Sequence, residues 1–177
     1  IANRVAMGLP ISVAQLCIHK MAVNQDFASI TQLETEIENL QKSANASTIV
    51  QAAQIFWLSG DTTQAHNLVH PLTTQAPANK SAATLVGWIK LSIGDRNSGR
   101  WFDMASADSV TASRPADPFV VYGKAMYFAS ASRFQDSIQY LVQLSGLCEF
   151  PEIAVERARV YIAMNNWELA IESLSEA

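Results

Sequence analysis

The sequence predicts an all-α protein, an α-solenoid of stacked helix pairs. Three observations carry that expectation. Apolar residues recur at helical spacing almost throughout, with no alternating stretch closed by a hairpin turn. Gly and Pro are sparse, 7 and 6 of 177 residues, which favours long helices over many tight turns. A motif of small, aromatic, turn and small residues returns along the chain at near-constant spacing.

The first unit, residues 1–45, reads as a degenerate helix pair. It has a break near Asn24 to Asp26, and Ile30, Leu33, Ile37 and Leu40 stripe its second helix among Glu34, Glu36 and Glu38. Residues 46–79 form the first regular unit. Ala53 is followed by Phe56 three residues on, Gly60 seven on, and Ala65 five further. Ala65, Leu68, Val69 and Leu72 then stripe the second helix. Residues 80–117 are irregular. Gly87 and Gly94 keep the spacing, Lys90 replaces the aromatic, and Gly99 stands where the other units have Ala or Ser. Gly99 to Met104 is read as a second helix, and Ser109 to Pro118 as a long loop. Residues 118–150 carry Ala125, Phe128, Ser132 and Ser137, then the stripe Ile138, Leu141, Val142 and Leu144. Residues 151–177 carry Ala158, Tyr161, Asn165 and Ala170, then Leu169, Ile171 and Leu174, and read as a truncated unit.

Each residue type has a physical reason. Small residues let two helices approach closely. Aromatics are expected to fill the space between one pair and the next. Trp167 is likewise assigned to a packed position between helices. Gly or Asn ends the first helix because it accepts a left-handed backbone. Pro77 and Pro151 punctuate the units, where a helix cannot run through them. Asp117-Pro118 is an N-cap followed by a favoured first helical residue. Gly60 and Gly94 lie 34 residues apart, Gly94 and Ser132 38, and Ser132 and Asn165 33. Two helices per ~34-residue period is the tetratricopeptide pattern, so the pairs are expected to wind into a right-handed superhelix.

Composition narrows the function. The chain is 49% hydrophobic and 16% charged, enough apolar material for a core. Its net charge of −4 and its 12 scattered Lys and Arg speak against a nucleic-acid partner, whose phosphates need clustered cations. No apolar run reaches the ~20 residues that span a bilayer. Phe119 to Ala129 comes closest, interrupted by Gly123 and Lys124, so no membrane insertion is expected. Cys17 and Cys148 are far apart in apolar surroundings and read as reduced core thiols. The start at Ile1 and the helical pattern reaching Ala177 suggest a piece of a longer protein. Exposed apolar surface at the ends of such a piece should make it self-associate.

No catalytic, cofactor-binding or metal-binding residue is assigned. His66 and His70 have the i, i+4 spacing zinc can use, but Asn67 stands where a catalytic Glu would be. They read as solvated outer-helix residues. Gly94 to Gly99 has phosphate-loop spacing, yet Arg100-Trp101 replaces the required Lys and Ser or Thr. Glu34 and Glu38 flank Glu36 on a solvated face rather than forming an acid–base pair.

Function is therefore sought on the surface. The first helix of each pair usually lines the groove of such a stack. The candidate partner-binding residues are Gln54, Trp57, Trp88, Met126 and Arg159. Trp57 and Trp88 weigh more heavily as inter-repeat core. Lys90 and Arg159 are isolated, which speaks against a carboxylate clamp for peptide C-termini.

The chain resembles the tetratricopeptide repeat protein 21 family, a subunit of intraflagellar transport complex A, in its N-terminal repeats. The resemblance rests on Ala14 to Lys20, Leu33-Glu34, Ala53 to Gly60, Gly87-Trp88, Tyr122 to Ala125 and Asn166-Trp167, and above all on the irregular order of units. It implies a non-catalytic scaffold in the cilium or flagellum and the cytoplasm, with other complex A subunits as protein partners and no cofactor. A general adaptor binding a short peptide in its groove is the alternative, and a zinc-dependent enzyme using His66 and His70 the remote one.

Overall fold

The computed structural model describes residues 46–58, 60–107, 117–148 and 151–176. The expected first unit, including Cys17, His19 and the Ile30–Leu40 stripe, lies outside the described residues, as does most of the expected loop before Asp117. Among the described residues there are eight helices and no strand. They are α1 (Ala46–Leu58), α2 (Thr62–Thr73), α3 (Lys80–Ser92), α4 (Gly99–Ser106), α5 (Pro118–Ser130), α6 (Phe134–Ser145), α7 (Pro151–Ala163) and α8 (Trp167–Ser175). Packing divides the chain into two compact units at Ile89/Lys90, within α3.

Local chemistry sets the helix ends. Asp61 caps α2 by accepting the Gln64 N–H at 2.9 Å, Asp117 caps α5 through the Phe119 N–H at 2.9 Å, and Asn166 caps α8 through the Leu169 N–H at 3.2 Å. Asn79 accepts the Ala82 N–H at 2.9 Å where α3 begins. Gly60, Gly94, Ser132 and Asn165, the four expected turn residues, all have positive φ, at 96°, 75°, 58° and 58°. The reversal after each first helix therefore needs a left-handed residue, and Ser132 supplies one where Gly or Asn was expected. Pro71 sits in the last turn of α2, which ends two residues later at Thr73.

The small residues do what their spacing predicts. Ala53, Gly87, Ala125 and Ala158 are buried on the first helices, and Ala65, Ser137 and Ala170 on the second. In the first unit α1 packs on α2, and α1 also meets α3 through Trp57 and Trp88. In the second unit the chain of contacts runs α4 to α5, α5 to α6, α6 to α7 and α7 to α8. Gly99 and Gly123 make the α4–α5 contact close. A β-carbon on Gly123 would meet the Phe102 ring, and one on Gly99 the Tyr127 ring.

One expectation about burial needs correction, and two apolar stripes are only partly buried. Trp167 is 59% exposed rather than packed between helices. Val142 is exposed although it belongs to the α6 stripe, because Leu141 and Leu144 supply the buried edge. Leu169, Ile171 and Leu174 are exposed, and α8 buries only Ala170 and Ser173. The aromatic expectation is half right. Trp57 and Trp88 meet between consecutive pairs, whereas Phe128 stacks inside its own pair on Tyr140, centroids 5.4 Å apart.

Candidate partner-binding surface

The first helices carry the five candidate residues into quite different settings. Gln54 and Trp57 are three residues apart and share a face of α1. Trp57 is 4% exposed and Trp88 9%, with ring centroids 6.3 Å apart and planes tilted by 39°. That arrangement contributes packing, and two buried rings offer little area to an outside ligand. Gln54 is half-buried, and its Oε1 is buried without a hydrogen-bond partner. Met126 is half-buried on α5. Arg159 is the most open of the candidates, with 68% of its side chain exposed. Its Nη1 donates to Glu156 Oε1 at 2.8 Å.

The cations near these residues are engaged locally. Lys90 pairs with Asp95 at 3.5 Å. The Asn97 N–H, donating to Asp95 at 2.8 Å, holds that carboxyl below its ordinary range, and Lys90 adds to the effect. Lys124 pairs with Asp103 at 2.8 Å and donates to Ser106 Oγ at 3.0 Å, tying α5 to α4. Arg157 donates to Glu176, tying α7 to the residue after α8. Burial pushes the Glu156 carboxyl up, and Arg159 partly offsets this. Burial also pushes up the Cys148 thiol, which donates to the Leu144 carbonyl at 3.5 Å. A thiol held protonated is a poor nucleophile.

A cleft of about 440 Å³ opens in the second unit, lined by Ser145, Cys148, Pro151, Ile153, Ala154, Arg157 and Glu176. Its single cation and single anion already face each other. The His66 and His70 rings lie with centroids 5.0 Å apart and planes tilted by 33°. Both are half-buried, not solvated as the sequence suggested. Among the described residues no three His, Cys, Asp or Glu side chains gather where a metal ion would need them. No described helix is long and apolar enough to cross a membrane. The stretch from Gly94 to Gly99 is a turn: Ser98 is buried and Gly99 already opens α4.

Sequence reasoning missed the most open apolar surface. Trp167, Ile171 and Leu174 are exposed along α8, where Trp167 was expected in the core and the other two in an apolar stripe. The missing signal is tertiary: a helical stripe shows which side of a helix is apolar, and says nothing about whether a neighbour lies against it.

The geometry defines a class, an all-α helical repeat protein with partly open helix faces. Within that class the chain belongs to the tetratricopeptide repeat protein 21 family. The family model for its N-terminal ARM repeat matches residues 1–171. The chain is 22% identical over 166 residues to tetratricopeptide repeat protein 21A of Mus musculus, covering 91% of this chain. It is 22% identical over 169 residues to tetratricopeptide repeat protein 21B of Xenopus laevis, covering 92%. It spans 12% of the length of each of these relatives. Among solved structures it is similar to MamA AMB-1, with a TM-score of 0.63 at 13% identity over 94% of this chain and 95% of that one. A MamA mutant gives 0.61 at 14% identity, covering 94% and 88%. At such identities the likeness bears on fold alone, and it supports an α-solenoid of tetratricopeptide-like helix pairs.

Proposed function

We propose that this chain is a non-catalytic, protein-holding segment of a scaffold subunit of intraflagellar transport complex A, working in the cilium or flagellum and the cytoplasm. The observation that carries this reading is the family match over residues 1–171. The repeat architecture supports it: helix pairs present extended faces that suit protein partners better than small substrates. Lys90, Lys124, Arg157 and Arg159 are engaged in ion pairs within the segment, consistent with a structural role. Within the segment, Arg159 is the candidate contact with the most open side chain, while Trp57 and Trp88 act through packing.

The test is affinity purification of the tagged protein from ciliated cells, followed by identification of what co-purifies. Recovery of other complex A subunits is expected. Recovery of none, from cells in which the tagged protein reaches the cilium, would refute the transport reading. R159A is expected to weaken one partner without altering the helical content of the segment.

A further inference from the structure

The cleft in the second unit, about 440 Å³, falls in the size range of ligand sites, roughly 300–1,000 Å³. Its walls differ in character. Pro151, Ile153 and Ala154 of α7 give it an apolar side, and the nearby Cys148 thiol is already engaged with the Leu144 carbonyl. Arg157 is the one cation among the described lining residues. Only 15% of its side chain is exposed, so its charge needs an anion close by. Glu176 supplies that anion incompletely. Nη2 of Arg157 donates to Glu176 Oε2, while Nε of the same planar group is buried with no hydrogen-bond partner. A guanidinium can hold both oxygens of a carboxylate through two parallel N–H groups, and here one donor is idle. The Glu176 side chain is 54% exposed and lies just beyond the last turn of α8. Arg157 therefore has an anionic partner that meets only part of its hydrogen-bonding capacity and is open to exchange.

We propose that this cleft receives an aspartate or glutamate side chain from an acidic segment of a partner protein, with Glu176 as the internal stand-in that the partner displaces. The incoming carboxylate takes Arg157 through Nε and Nη2 together, and an aliphatic residue beside it lies on the apolar side formed by Pro151 and Ile153. Three features select this occupant. A lone guanidinium among the described lining residues matches a singly charged carboxylate better than a phosphate, which carries about two charges at neutral pH. A carboxylate already sits on Arg157, so the chemistry of the site is carboxylate chemistry. The first turn of α7 runs along the same wall, and the positive end of that helix favours an anion. Exchange is easy because an ion pair with one partner open to water is weak. The inference rests on the cleft alone, and failure of the transport reading would leave it standing.

The test follows the Arg157 Nε–H resonance of the 177-residue chain by heteronuclear NMR. The probe is acetyl-Leu-Ser-Glu-Ala-amide, which offers in trans the residues around Glu176. Adding it should shift the Arg157 resonance saturably. E176Q, which removes the internal competitor, should lower the apparent Kd at least about threefold. The same peptide with Gln in place of Glu should bind about tenfold more weakly. R157K keeps the charge and loses the paired donors, so it should weaken binding about fivefold, read from the backbone amides of Ile153 and Ala154. An unmoved resonance, equal binding of the Glu and Gln peptides, or an affinity unchanged by E176Q would overturn the proposal. Inorganic phosphate acting on the same resonance at lower concentration than the peptide would also overturn it, by assigning the cleft to a phosphorylated ligand. Amide spectra check the fold of both variants; if R157K unfolds, E176Q and the Gln peptide decide the matter.

Discussion

At the scale of single residues, two side chains carry unfavourable burial that a substitution can relieve. Ser137 occupies the small position filled by Ala65 and Ala170 in other pairs, and its Oγ is buried without a partner. An unpaired hydroxyl held away from water costs free energy that a methyl group does not. S137A should raise stability by about 1 kcal/mol in a urea titration. Glu156 is the second case. Its carboxyl is pushed up by burial from the ordinary 4.5. A carboxyl that holds its proton more tightly folded than unfolded favours the folded state in acid. That contribution is fully present below pH 4.5 and is lost as pH climbs through the raised folded value. E156Q should flatten this limb of the stability–pH profile, as read from thermal midpoints across the acid range. An unchanged slope would show that Glu156 ionises in the folded chain as it does in the unfolded one.

At the scale of helices, the α4–α5 contact is the most sensitive to side-chain volume. A methyl group on Gly123 meets the ring of Phe102, which is fully buried and has nowhere to go. Overpacking of this kind costs about 1–3 kcal/mol. The helix propensity gained from Gly to Ala is only about 1 kcal/mol, so G123A should be destabilising overall. G99A meets Tyr127, which is half-buried and can swing outward, so its cost should be smaller. Chemical denaturation of the two variants checks the order. The helices themselves were legible in the sequence, because periodicity, caps and turn residues are local properties. Gly99 shows where legibility stopped. It stood out as a departure from the repeat, but the reason is the bulk of Tyr127, 28 residues away. Trp167 and the α8 stripe failed for a related reason: similar local patterns on α6 and α8 end in different burial, Leu141 fully buried and Leu174 half exposed, and periodicity does not carry that difference. Of the candidate contacts, the sequence rightly weighed Trp57 and Trp88 towards packing. It could not separate Met126, half-buried, from Arg159, open to solvent, because the two differ in surroundings rather than in pattern.

At the scale of the whole molecule, the 177-residue chain exposes Trp167, Ile171 and Leu174 together with Ile93, Val142 and Ile162. Such surface favours association in water. Light scattering should show an apparent mass that rises with concentration, and I171E should lower it towards the monomer value. A strict monomer at high concentration would contradict this. The charge of −4 opposes association weakly, so added salt should strengthen it by screening.

The left-handed turn residues bear on how this chain tolerates changes of length. Within the regular pairs the small residue, the corner and the next small residue keep fixed intervals, and each corner is locked by a single positive-φ position. The Gly94 corner departs from this: six residues separate α3 from α4, against three at each of the other corners. Insertions and deletions among relatives should therefore avoid the three short corners. One alanine added directly after Asn165 should unfold the chain at a lower temperature than the same alanine added after the exposed Gln75, between α2 and α3, because only the first shifts every contact of α8 around the helix.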